Sequence, residues 1–234
     1  MNSTGTSILQ HLVAVRVERA ARAGDAGLAA RVLQLKHYQQ ARFAQTYADL
    51  LSHPRYAGAA RFFLDDLYGP GDFSQRDAQF ARIVPALVRL FPAEVVDTVA
   101  ALTALHALSE QLDSEMARHA DGGEMTASNY LAAWRRTGQP ANRQRQIDLM
   151  LDIGRALDIY TRRPLLRHSL RAMRMPARAA GLSALQSFLE GGFDTFRAMH
   201  GAEAFLAQIA QREQAMAASL FGANDAPDPL GQLP

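Results

Sequence analysis

The sequence predicts an all-α protein, an antiparallel multi-helix bundle of eight to ten helices. Three observations carry that expectation. Apolar residues recur at helical spacing along almost the whole 234-residue chain, no segment alternates apolar and polar like a half-buried strand, and the interruptions fall at Gly, Pro or capping residues. A hydrophobic fraction of 48% over this length is enough for a sizeable core, as one domain or as two packed lobes.

Ile8, Leu12 and Val15 stripe the first helix, which Gly24 closes, and Asp25 is placed to cap the next. Leu28, Val32, Leu35, Phe43, Tyr47 and Leu50 keep one face through to about Ser52. After Pro54, an aromatic helix runs to Gly69 and Pro70, with Gly69 available for a left-handed cap. Ser74 is a good N-cap, with Asp77 in a capping-box-like position. Phe80, Ile83, Val84, Leu87, Val88 and Phe91 then match the amphipathic template at every position, across a Pro85 expected to kink the helix.

Pro92 opens the longest helix, lined by Val95, Val99, Leu102, Leu105, Leu112 and Met116 and broken at Asp121-Gly122-Gly123-Glu124. Thr126 caps a short helix bearing Tyr130 and Trp134. Pro140 opens another, with Ile147, Met150, Leu151 and Leu157 inward and Gly154 allowing close contact. Pro164 and Pro176 divide the next stretch into short pieces. Leu182, Leu185, Leu189, Phe193 and Phe196 resume a core stripe, and an Ala-rich helix with Phe205, Ile209, Met216 and Leu220 ends the pattern. The expected organisation is a single helical domain over 1–221, with a candidate lobe boundary at 121–125 and a disordered, Pro-containing tail over 222–234.

The aromatic helix is the most distinctive element. Tyr56, Ala60, Phe63 and Leu67 share one face, and Phe62 and Leu64 widen it. Asp65 and Asp66 are adjacent, so they point about 100° apart and cannot converge as paired catalytic carboxylates. Phe62-Phe63-Leu64-Asp65-Asp66-Leu67-Tyr68 resembles the signature of the FFLEELY-motif proteins, a family of uncharacterised bacterial proteins, with two Asp where the signature has two Glu. The resemblance covers this motif and the helices around it. It implies bacterial origin and brings no activity.

Charge is unevenly distributed. Residues 1–124 carry 12 basic and 14 acidic side chains, 125–178 carry 11 and 3, and 179–234 carry 2 and 6. Lys36 is the only lysine, so the positive charge is almost entirely guanidinium, which favours bidentate contacts to carboxylate or phosphate. Arg163, Arg167, Arg171, Arg174 and Arg178 recur at helical spacing, and Arg135 and Arg136 flank Trp134. These seven form a candidate anion-binding face. The competing expectation is that they pair with the acidic flanking segments inside the fold.

A second candidate is the trio His106, Glu110 and Asp113, at i, i+4 and i+7 on the longest helix. Such a face can hold a metal or haem, or simply seat an imidazole against a carboxylate. The Glu-x-x-His pairs of a di-iron bundle are missing, as are HExxH, P-loop, G-x-G-x-x-G and G-x-S-x-G motifs. Absence of Cys excludes disulfides, thiolate zinc sites and Cys nucleophiles. No secretory signal or membrane-spanning stretch is apparent, so a cytoplasmic setting is expected.

These observations favour a soluble binding or interaction protein over an enzyme, with no cofactor and an Arg-rich face for an anionic partner. That partner is a protein or an anionic ligand; nucleic acid fits the charge without a motif to support it. The alternative is a haem- or metal-binding bundle using His106. Burial of Asp65 and Asp66 in a pocket with an Arg would instead favour a small-molecule enzyme.

Overall fold

A computed structural model describes residues 3–67, 69–222 and 233–234. Tyr68 and most of the expected disordered tail, 223–232, lie outside the described residues. Helices α1 (Ser3–Ala23), α2 (Ala26–Thr46), α3 (Ala48–Ser52) and α4 (Ala57–Phe62) lead into a π-helical turn, Phe63–Leu67. Then follow α5 (Ser74–Leu90), α6 (Ala93–His119), α7 (Ala127–Thr137), α8 (Pro140–Thr161), α9 (Pro164–Ala172), α10 (Arg174–Ala179), α11 (Ser183–Ala198) and α12 (Glu203–Phe221). Among the described residues nine helices exceed eight residues, joined by the short α3, α4 and α10. The protein is an all-α multi-helix bundle.

The 27-residue α6 is its axis, packed against α1, α2, α5, α7 and α8. One core cluster surrounds Tyr47, Phe63, Leu105, Ile147, Phe196 and Phe205, and so draws side chains from both sides of 121–125. A second gathers Leu28, Leu35, Tyr130, Trp134 and Met216, and a third lies between α1 and α5 around Ile8 and Val84. Leu233 is buried in the second cluster and Tyr38 donates its hydroxyl to the carbonyl of the exposed Pro234 at 3.3 Å, so the described end of the expected disordered tail is anchored on the core.

Local signals are expressed where expected at Asp25, which accepts from Leu28 N at 2.9 Å, and at Thr126, which accepts from Asn129 N at 3.3 Å. Three differ. The long second helix breaks at Tyr47, whose backbone leaves helical geometry between α2 and α3. Ser74 begins α5 without capping it: Asp72 accepts from Ser74 N, and Asp77 is drawn into a tertiary ion cluster instead. Gly69 does not take a left-handed conformation; it is required because a Cβ there would collide with the Asp65 carbonyl oxygen.

That close approach follows from the π-helical turn, an i→i+5 expansion, beside which the two phenylalanine rings of the motif are buried. Phe62 stacks on Phe188 at 5.4 Å, against Gly192, and Phe63 sits between Phe196 and Phe205 at 6.1 and 6.0 Å. Phe62 is only 6% exposed, so its ring is core and not a docking surface. Leu64 packs partly buried against the same core.

Candidate functional site: a polar chamber against a buried charge cluster

The polar face of α6 faces inward. Glu110, 2% exposed, is the centre of an ion cluster built from α1, α2 and α6. Lys36 Nζ donates to Glu110 Oε1 at 2.9 Å and Arg19 Nη2 to the same oxygen at 3.1 Å. Arg22 donates to Glu110 Oε2 and to the Glu110 carbonyl, while its Nε reaches Ser114 Oγ at 2.5 Å. Burial pushes the Glu110 carboxyl up, but Lys36, Arg22 and Arg19 together hold it well below the usual carboxylate range. Asp77 continues the cluster from α5: its Oδ2 lies 2.9 Å from both Arg19 Nη1 and His106 Nε2. Burial raises that carboxyl, and His106, Arg76 and Arg19 more than reverse it.

His106, Glu110 and Asp113 thus share a helix face without sharing a focus. His106 turns to Asp77, Glu110 to three cations, and Asp113 to Gln39. Among the described residues no group of three or more His, Cys, Asp or Glu side chains is arranged to hold a metal. The chemistry agrees, because a dication at Glu110 would sit among Arg19, Arg22 and Lys36.

Beside this cluster a chamber of about 100 Å³ opens between α2, α6, α7, α8 and α12. Its polar lining includes Lys36, Gln39, Ser109, Asp113, Arg143, Gln146 and Trp134; its apolar lining includes Phe43, Met150, Met216 and Leu220. Arg143 is 4% exposed and stacks over Trp134, 4.1 Å from the ring centroid. It is oriented by a short relay: Arg143 Nη1 donates to Gln146 Oε1 at 3.2 Å, and Gln146 Nε2 donates to Ser109 Oγ at 2.8 Å. Trp134 is 8% exposed, and its buried Nε1–H has no acceptor among the described residues. At another wall Arg42 forms a fork with Glu213, which also accepts from the Tyr47 hydroxyl at 2.7 Å. Burial and the Glu213 charge push the Tyr47 phenol far up, so it remains a donor.

Asp113 is 7% exposed and differs from Glu110 in what surrounds it. Gln39 Nε2 donates to its Oδ1 at 3.2 Å, but Lys36 Nζ stands 3.9 Å from Oδ2, beyond hydrogen-bond reach. Burial raises the Asp113 carboxyl, and with the smaller help of the nearby Glu110 charge it outweighs the lowering by Lys36, Arg143 and Gln39. Two carboxylates one helical turn apart are therefore in opposite states of compensation.

The aromatic motif reaches this site indirectly. Gly69 and Phe73 contribute to the chamber wall, so the loop leaving the π-helical turn forms part of its lining. Arg76 lies over the rings of Phe73 and Phe188, at 4.2 and 4.4 Å, donates to the Asp66 carbonyl at 2.7 Å, and approaches Asp77 at 3.6 Å. Asp65 and Asp66 themselves are exposed, Asp65 accepting from Gln40 at 3.4 Å. They do not enter a pocket.

The Arg run is dispersed over individual partners. Arg163 meets Glu94, Arg167 meets Asp194 at 3.2 Å, and Arg174 forms a fork with Glu190. Arg171 and Arg178 are exposed and make no ion pair among the described residues. Arg135 donates to the Leu220 and Gly222 carbonyls at the end of α12, and Arg136 to the His119 carbonyl and Asp121 after α6. Sequence reasoning did not bring Lys36, Gln39, Arg19, Arg22 or Asp77 to the site. The available signal was a polar pair, Lys36 and Gln39 at i and i+3, beside the apolar stripe of α2.

Among the described residues no helix is long and apolar enough to cross a membrane. No curated protein and no solved structure matches the chain. A family model described as a domain of unknown function, DUF8198, matches residues 18–227. That span contains the whole chamber lining and the motif, and the chain belongs to the DUF8198 family.

Proposed function

We propose that this is a helical binding protein whose ligand carries a compact anionic group and lodges in the chamber beside α6. One observation carries the reading: the buried Trp134 Nε1–H has no acceptor among the described residues, in a chamber whose lining also carries the cations Lys36 and Arg143. Burying such a donor is costly unless an acceptor meets it, and an anion accepting from the indole beside these cations removes that cost. The outer Arg run supports anion binding less well, because Glu94, Asp194 and Glu190 already neutralise three of its members. The likeness of residues 62–68 to the FFLEELY motif fits the same reading, since that segment delivers Gly69 and Phe73 to the chamber wall. The bacterial, cytoplasmic setting expected from the sequence is retained.

Trp134 is the only tryptophan, so its fluorescence reports on the chamber. Titration with propionate, alanine and inorganic phosphate is expected to give a saturable change with at least one probe, accompanied by a rise in Tm. Arg143→Gln, checked for retained helicity, should abolish it. No response to any probe, or a response indifferent to Arg143→Gln, overturns the reading.

A further inference from the structure

We infer that Asp113 is itself a ligand-binding group, meeting the anion as a neutral carboxylic acid, so that the anion and one proton bind together. This rests on the anion-binding reading and names a further residue that touches the ligand. The observation is a buried carboxylate on the same chamber wall as the indole donor, with one oxygen left over. Asp113 Oδ1 accepts from Gln39 at 3.2 Å. Its Oδ2 has no donor within hydrogen-bond distance among the described residues, because Lys36 is held on Glu110 at 2.9 Å and stands 3.9 Å away.

An anion entering about 100 Å³ beside an ionised Asp113 brings two like charges into one desolvated space, and such a pair does not stay fully ionised. A proton taken from solvent onto Oδ2 resolves this, with no other bond made or broken. It removes the repulsion and turns an acceptor into an O–H donor aimed at the ligand, the use to which a buried neutral acid is suited. The surroundings favour that state. Glu110 on the same helix and burial both oppose the Asp113 charge, and Lys36 from α2 and Arg143 from α8 do not fully offset them. The Tyr130 phenol on α7 is buried nearby, and Glu213 on α12 is already engaged by Arg42. His106 also lines the chamber but is turned to Asp77.

The sign follows from linkage: affinity is greatest at low pH and declines as pH rises, by at most tenfold per pH unit for one proton. The test titrates propionate and methanesulfonate, both ionised from about pH 6 to pH 9, by Trp134 fluorescence. Kd is expected to rise at least about tenfold across that range, and calorimetry in buffers of different ionisation enthalpy should show proton uptake. Asp113→Asn, close in shape and a donor at every pH, should bind both probes with a pH-independent Kd and more tightly than the parent at high pH. Parent binding indifferent to pH, a pH dependence that survives in Asp113→Asn, or loss of binding in that variant overturns the inference while leaving anion binding in place. Failure of both monoanions also overturns it, and silence of inorganic phosphate and alanine as well removes the anion-binding reading.

Discussion

The charge cluster around Glu110 and the Arg run from 162 to 178 use the same side-chain type in opposite ways. Around Glu110, two arginines and the only lysine converge on one carboxylate that is 2% exposed. Along α9 and α10, each paired arginine takes its own carboxylate at a surface where water competes for both partners. What differs is solvent. In the interior a charge left without its partner retains its desolvation cost, so the cluster stands or falls as a unit. At the surface the pairs are exchangeable and nearly independent. The number of arginines in a segment is therefore a poor guide to where guanidinium chemistry matters.

The largest expected break in this contrast is Glu110→Ala. It leaves Arg22, itself 7% exposed, without its carboxylate and returns Lys36 and Arg19 to mutual repulsion. A loss of about 3–5 kcal/mol is expected from denaturant unfolding, the range for breaking a buried pair from one side. A loss close to that of a surface substitution would show that the cluster is hydrated and the contrast empty.

Intermediate in size is the pH dependence, which separates Glu110 from Asp113. The Glu110 carboxyl is depressed on folding, so its contribution is fully present above the ordinary glutamate value of 4.5 and disappears as pH falls through the lower folded value. Asp113 is shifted the other way. A raised carboxyl costs stability as pH climbs above the ordinary aspartate value of 3.8, and Asp113→Asn removes that cost. Relative to the parent, Asp113→Asn should therefore become progressively more stable between about pH 3 and pH 7. Chemical denaturation across that range checks the slope, and an opposite slope would mean that Asp113 is better compensated than its neighbours indicate.

The smallest effect is expected on the outer run. Arg171→Ala with Arg178→Ala should leave the unfolding midpoint unresolved from the parent while lowering salt-labile retention on heparin only slightly. Strong, salt-sensitive retention that vanishes in this double variant would restore the outer face as the principal anion site.

Much of the architecture was legible because helical periodicity is a local property. The stripes of α5 and α6, the caps at Asp25 and Thr126 and the break after His119 all depend on residues within a turn or two of one another. The site was legible only in part. His106, Glu110 and Asp113 share one face of α6 as their spacing requires, and the placing of Arg135 and Arg136 beside Trp134 was visible. Their partners were not, because Arg19, Lys36 and Asp77 lie 29 to 91 positions from the α6 residues they meet. No spacing rule connects such positions.

By itself the sequence determined that this chain folds as helices, where most of them start and stop, and that α6 carries a polar seam through an apolar core. Tertiary packing alone decided which carboxylate is surrounded by cations and which is left short of donors. It also decided that the π-helical turn and Gly69 bring the motif's following loop against the chamber. The physical reason is that helix formation is set by backbone geometry and nearby side chains, whereas compensation of a buried charge depends on which distant surfaces exclude water together.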